Sequence, residues 1–339
     1  MVNDIILLPD APPIPNLIFR HFRGESDFPF MAKVFNVSAD ADKVEALMTV
    51  EIIANSFTHL INSDPALDMI FAEVNGEVIA VAQVWWSIEK DTGHYLYESF
   101  GCIAPYWRRK GIGQAMLQWV ENRSRAIAAE HASNLPNFFE VNANQFEIGK
   151  MIMLEKNNYH ASRYFFKMLR PTLENIPNFT LPEGLEIRPV QPDHFRKIWD
   201  ADIEAMGDHW GVTQKTEEHY QAWLNNNAVF QPNLWQVAWD IATNQVAGQV
   251  RNFILHDENK RYGRNRGYTE FISVRRSWRK RGVARALIAR GLQTLREHDM
   301  TESTLGVDTH NLNGAVSLYN ACGFRVVEKN AIYRKPFQA

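Results

Sequence analysis

The sequence predicts a mixed α/β fold, a mostly antiparallel sheet with flanking helices, built twice in tandem. Two observations carry this. At Tyr268–Leu295 an alternating strand runs through a basic, glycine-containing turn into an apolar-periodic helix, and Ser99–Val120 has the same design. Trp107-Arg108-Arg109-Lys110-Gly111-Ile112-Gly113 lies opposite Trp278-Arg279-Lys280-Arg281-Gly282-Val283-Ala284, 171 positions on (278 minus 107) in a chain of 339. An offset of half the chain means two whole domains rather than a stack of short repeats.

The elements follow in order. Residues 1–15 are a proline-rich lead-in, and Asn16–Arg23 is a first strand. The spacing of Val44, Leu47, Met48, Ile52 and Ile53 predicts a helix over Ala39–Leu60. Ala66–Ala72 and Val78–Trp86 pair across Asn75-Gly76, a strong hairpin dipeptide. Tyr95–Ile103 leads into the first basic turn, with a helix over Ile112–His131 behind it. A strand at Asn137–Asn142, a helix at Phe146–Asn157 and a strand at Tyr164–Leu169 close a first domain at residue 170.

Pro171–Gly184 has three prolines and no period, and reads as the linker. The second domain, 185–339, repeats the order. It has a strand at Leu185–Val190, helices at Pro192–Met206 and Glu217–Asn225, and a hairpin of Leu234–Trp239 with Gln245–Ile254. Tyr268–Val274, the turn and the long helix follow. A strand at Ser303–Asp308, a helix at Asn313–Ala321 and closing strands at Phe324–Tyr333 end the chain.

Composition narrows the function. Apolar residues make up 45% and charged residues 22%, as in ordinary soluble domains. The net charge of −3 opposes a nucleic-acid or anionic-membrane partner. No apolar run reaches the ~20 residues of a membrane helix. The start lacks the pattern of a signal peptide, and two cysteines, Cys102 and Cys322, suit a reducing, cytoplasmic compartment. No Cys/His cluster has metal-ligand spacing. Nine Lys/Arg in the 22 residues from Lys260 to Arg281 are the one basic run. No nucleic-acid motif accompanies them, and a phosphate-bearing ligand is the better use.

A glycine-containing basic turn at a helix start is a phosphate-binding design, because first-turn N–H groups are unpaired and the helix dipole is positive there. In the second half the pattern is Arg279-x-x-Gly282-x-Ala284, then a strand, then Asn311-Leu312-Asn313-Gly314-Ala315-Val316-Ser317-Leu318-Tyr319, with Gly323-Phe324 after it. The first half has Ile103-Ala104-Pro105-Tyr106-Trp107, then Arg108-x-x-Gly111-x-Gly113. This arrangement resembles the GNAT superfamily of acyl-CoA-dependent N-acetyltransferases, present as two tandem copies over nearly the whole chain. With Asp208-His209-Trp210-Gly211 after the first helix of domain two, the layout is similar to the tandem branch that includes mycothiol synthase.

The resemblance implies acetyl-CoA as cofactor and direct transfer of an acetyl group to a primary amine of a small molecule in a ternary complex. It implies that Arg279, Lys280, Arg281, Gly282, Val283 and Ala284 cradle the pyrophosphate through their backbone. Ile272, Ser273 and Val274 would polarise the thioester carbonyl by main-chain groups, and Asn311 would orient the cofactor arm. Tyr319 matches the family's general acid; a tyrosine of pKa near 10 can donate to a thiolate whose conjugate acid is about 8.5. Its bland reading is a core residue. Glu270 is either the acceptor of the amine proton or a solvent-facing strand residue. Asp208 and His209 either line the substrate mouth or link elements.

The halves are unequal. Ile103, Arg108, Arg109, Lys110, Gly111, Ile112 and Gly113 keep the cradle, but Ser99 stands opposite Glu270 and Leu154 opposite Tyr319. The expectation is that domain two catalyses, as a monomer or homodimer. The alternatives are a non-catalytic acyl-CoA-binding or regulatory protein, and acetylation of a protein N-terminus or lysine.

Overall fold

The computed structural model describes residues 4–131, 135–310 and 314–337. In chain order the elements begin with β1 (Ile5–Ile6), β2 (Leu17–Arg20), α1 (Phe28–Ala41), α2 (Val50–Phe57), α3 (Pro65–Asp68), β3 (Met69–Val74), β4 (Glu77–Ile88) and β5 (Tyr95–Ile103). Then come α4 (Ile112–Ala128), β6 (Asn137–Asn144), α5 (Ile148–Lys156), β7 (His160–Arg170), β8 (Leu185–Ile187), α6 (Phe195–Met206) and α7 (Glu217–Leu224). The remainder is β9 (Gln236–Asp240), β10 (Val246–Ile254), α8 (His256–Tyr262), β11 (Arg266–Val274), α9 (Val283–Glu297), β12 (Glu302–Asp308), α10 (Ala315–Ala321) and β13 (Arg325–Pro336). The α/β class and the mostly antiparallel sheets with flanking helices are as the sequence predicts.

The chain forms two compact units, and neither is one continuous stretch. The first is Met1–Arg163 with Asn330–Ala339; the second is Tyr164–Lys329. In the first, β1, β2, β3, β4 and β5 pair antiparallel in sequence order and β6 joins β5 in parallel. The sheet is closed by the end of the chain, with Asn330–Pro336 of β13 antiparallel to β6. In the second, β8, β9, β10 and β11 are antiparallel, β12 joins β11 in parallel, and Phe165–Arg170 of β7 closes the sheet against β12. Each half of the sequence therefore supplies the closing strand of the other half's unit. The sequence division at 170 and 185 places these two strands with their chain neighbours. Strand partnership is a long-range choice that chain order does not record. The stretch 171–184 also belongs to the second unit: Leu173 is buried in its core, and its N–H donates to Thr301 O.

Several boundaries shift for local reasons. The helix expected over Ala39–Leu60 is two helices. Lys43 adopts φ 55°, Asn36 brackets Met48 with two hydrogen bonds, and Thr49 caps α2 afresh through Ile52 N–H. The apolar spacing spans a break that periodicity cannot register. The Asn75-Gly76 hairpin forms with both residues at positive φ. Helix α8, which the sequence reading misses, ends on Gly263 at φ 61°.

The second unit's core lies between α9 and the sheet. Leu287, Ile288, Leu292 and Leu295 of α9 pack on Val250, Ile254, Leu305 and Met168. Asn252 of β10 fits against Gly291 and donates to Gly291 O (3.0 Å) and Leu234 O (3.2 Å). A smaller cluster on Ile198 of α6 includes Trp235 and Trp239, so these two tryptophans are core residues. Among the described residues no helix is long and apolar enough to cross a membrane, and no group of residues is arranged to hold a metal ion.

Candidate active site

Both basic turns fold identically. Arg279 is extended (φ −66°, ψ 157°), Lys280 stands at φ 60°, and Gly282 at φ 90° is the N-cap of α9. In the first unit Arg108 (φ −69°, ψ 158°), Arg109 (φ 60°) and Gly111 (φ 89°) repeat it before α4. Glycine suits the cap because a Cβ is penalised at such φ. Neither cap makes a side-chain hydrogen bond to the first turn, so those N–H groups remain for an anion. The three nearest atoms to a Cβ on Gly282 all belong to the flexible side chain of Arg285 in the same helix. A pyrophosphate therefore fits here.

The arginines that open the two motifs hold the turns together. Arg279 donates from Nε to Val274 O (3.0 Å), from Nη1 to Asp208 (2.7 Å) and from Nη2 to Ala205 O (2.8 Å). Arg108 matches this, with Nε to Ile103 O (3.0 Å) and both Nη groups to Asp42 (2.6 and 2.7 Å). Asp208 also accepts from Arg276, and its two guanidinium partners hold the carboxyl well below the usual carboxylate range. Asp208 thus ties the C-terminal end of α6 to the turn. His209, the next residue, is half-buried, and desolvation lowers its pKa against the opposing field of Asp308. Of the other cradle residues, Val283 and Ile112 are buried helix-start residues. Lys110 lies over the rings of Tyr106 (4.1 Å) and Trp107 (4.6 Å), and Arg281 lies over Trp278 (4.9 Å). Asn311 lies outside the described residues.

We expect Arg279→Ala to raise the KM for the acyl donor about tenfold, a loss on the scale of one charge-assisted bond. Arg108→Ala should lower Tm and leave that KM unchanged. Steady-state kinetics and calorimetry on the two variants check the pair.

Strand β11 carries Glu270 and the segment Ile272–Val274. Its register against β10 slips between Arg251↔Glu270 and Gln249↔Ser273, so Phe271 and Ile272 together face Val250. This is a β-bulge, and Phe271 takes φ 49°, a strained value for an aromatic residue. The bulge takes Phe271 and Ile272 out of the ladder, and Ser273 and Val274 rejoin it opposite Gln249 and Gly248. On its other edge β11 pairs with β12 only from Arg266↔Glu302 to Tyr268↔Thr304. Beyond that point the strands part, and Glu270 Oε1 accepts from Gly306 N–H (2.8 Å) across the gap. This bond orients the carboxylate without using up its lone pairs.

Desolvation pushes Glu270 up to about 8, opposed by the Gly306 bond and by Lys167. Tyr319, on α10, is 7% exposed. Its pKa is raised by burial first and then by the charge of Glu270. The two residues, 49 positions apart (319 minus 270), therefore share one electrostatic neighbourhood.

The first unit differs at each of these points. The register of β4 with β5 runs unbroken from Ala80↔Ile103 to Ile88↔Tyr95, with no bulge. Its parallel ladder continues to Ser99↔Val141, the position opposite Glu270, so the strands stay paired where β11 and β12 part. Leu154, opposite Tyr319, is buried. The Cβ that Gly111 lacks would come within 3.1 Å of Pro12 from the lead-in, whereas the nearest atoms at Gly282 are those of Arg285.

The profile of the Acetyltransferase (GNAT) family matches residues 36–144 and again 195–324. The chain belongs to that family. It is a tandem GNAT N-acetyltransferase. The mycothiol acetyltransferase of Thermobifida fusca is 27% identical over 248 residues, covering 68% of this chain and 72% of that protein. The enzyme of the same name from Salinispora arenicola is 26% identical over 230 residues, covering 66% and 67%. A GCN5-related N-acetyltransferase from Sphaerobacter thermophilus superposes with TM-score 0.72 at 22% identity, over 98% of both chains. A tandem GNAT protein from the clavulanic acid biosynthesis pathway gives 0.70 at 12% identity, over 95% of this chain and 99% of its own.

The bulge at Phe271 and the Gly306 bond to Glu270 are absent from the sequence reading of this acetyltransferase. A weak signal for the first exists: the alternation of Tyr268–Val274 needs one extra residue to stay in phase with β10.

Proposed function

We propose that the second unit transfers an acetyl group from acetyl-CoA to a primary amine of a small molecule, by direct attack in a ternary complex. The observation that carries this is the convergence of Glu270, Tyr319 and the bulge at one opening between β11 and β12. Acetyl-CoA supplies the acetyl group as a thioester, with its pyrophosphate on the N–H groups of Lys280–Ala284. Glu270 takes the proton from the attacking amine; raised to about 8, it is a stronger base than an ordinary carboxylate. Main-chain groups at Ile272–Val274, on the edge where β11 has parted from β12, face the charge that develops on the carbonyl oxygen. A C–N bond forms, the C–S bond breaks, and Tyr319 gives its proton to the departing sulfur. Burial keeps that proton on Tyr319 at neutral pH.

In this reading Asp208 positions the turn through Arg279, and His209 stands beside the acceptor. The first unit keeps a cradle but braces the fold, because its ladder stays closed at Ser99 and lacks a bulge. A carboxylate at the cap position repels the phosphates and strains a positive-φ site. Gly282→Asp should therefore abolish thiol release from acetyl-CoA with a panel of amines. Gly111→Asp should leave it within about twofold. Equal losses in both variants would assign turnover to both units.

A further inference from the structure

One buried charge in the second unit is not used by this chemistry. Arg251 sits in β10, a strand whose residues are all buried, and is itself only 4% exposed. Its Nη2 donates to Asp202 Oδ2 of α6 (2.6 Å). Its Nε and Nη1 have no hydrogen-bond partner, and neither does Asp202 Oδ1. Aromatic rings surround the guanidinium: Phe271 at 4.4 Å, Trp223 at 5.4 Å and Trp235 at 5.9 Å. Burial lowers the pKa of Arg251, and Asp202 only partly offsets this. A buried guanidinium with open donors is costly to the free protein.

The position says what would offset that cost. Arg251 and Glu270 are direct partners across an antiparallel pair, so their side chains leave the same face of the sheet. That face carries α6, whose Ile198 O accepts from Gln249. It is the face opposite the α9 side, where Asn252 packs on Gly291. The open donors thus belong to a residue on the same face of the sheet as Glu270, its direct cross-strand partner. The ring over them belongs to Phe271, the strained bulge residue, 46% exposed and able to turn aside.

We infer that Arg251, oriented by Asp202, is a specificity-determining residue that binds a carboxylate on the acceptor, so that the acceptor is an amine that also carries a carboxylate, such as an amino acid. This rests on the proposed amine acetylation and narrows its substrate class. Phe271 covers the guanidinium in the free protein and packs on the acceptor once its carboxylate has reached Arg251.

The test compares each acceptor with its neutral counterparts: L-phenylalanine with its amide and phenethylamine, and L-methionine with its amide and 3-(methylthio)propylamine. The native protein is expected to favour the carboxylate form in kcat/KM by about a hundredfold. In Arg251→Met the preference should fall to within about threefold, by a rise in acceptor KM, with the KM for acetyl-CoA unchanged. That unchanged constant also shows that the variant folds. Neutral forms used as well as the carboxylates by the native protein would overturn the inference, as would an undiminished preference in Arg251→Met. Tryptophan fluorescence with coenzyme A present measures binding of the same compounds without turnover. If no amine is acetylated, the proposed function fails, and tighter binding of the carboxylates would still uphold the role of Arg251. Equal binding of all forms would remove it.

Discussion

Tyr319→Phe is expected to lower kcat by about 10²–10³-fold, within the range of one positioned general acid. The buried ring keeps its contacts, including the edge-on approach to Phe324 at 6.4 Å. The loss should therefore fall on turnover, with the Kd for acetyl-CoA and the Tm nearly unchanged. Thiol release under saturating acetyl-CoA and a saturating amine measures it. A variant as fast as the native protein would return Tyr319 to its bland reading as a core residue. The matching change in the first unit, Leu154→Tyr, should restore nothing, because β5 and β6 remain paired through Ser99↔Val141 there.

The second large effect is expected at Glu270. A base must be deprotonated, and Glu270 holds its proton up to about pH 8. For the native protein kcat/KM should therefore rise tenfold per pH unit below about 8 and level off above it. Glu270→Gln keeps the shape and the oxygen that accepts from Gly306. It should lower kcat/KM at pH 9 by about 10²-fold and flatten the limb assigned to this group. A limb that persists in Glu270→Gln belongs to another residue.

The same shift has a sign for stability. The folded-state pKa lies above the ordinary carboxylate value of 4.5. The native state therefore binds more protons between about 4.5 and 8, and this group's contribution to stability falls as pH rises through that window. The glutamine variant escapes the cost of ionisation. Its Tm should exceed that of the native protein above pH 8 by at least about 2 °C, and the gap should close toward pH 5.

How much of this was legible in the sequence depends on the range of the interactions. The geometry of the two basic turns was legible because it is local. Arg-x-x-Gly, with a helix start behind it, sets its own backbone angles and leaves its own N–H groups open, and both copies obey. The inequality of the halves was legible too, since Ser99 and Leu154 are plain substitutions for Glu270 and Tyr319. In the sequence reading the motif arginines take part in the turn only through their backbone, and their side-chain bonds to Asp208 and Asp42 show them holding the turns closed.

The sequence by itself determined the repeat, the α/β class, the two glycine-containing basic turns and the half that carries Glu270 and Tyr319. Each of these follows from residues close in the chain, where spacing dictates which backbone groups and side chains share a face. The tertiary structure alone decided which strand closes which sheet, where β11 bulges, where it parts from β12, and that Arg251 lies beside Glu270. These depend on competition among strands and helices far apart in sequence, and strand pairing is settled by the burial of whole faces rather than by any local pattern.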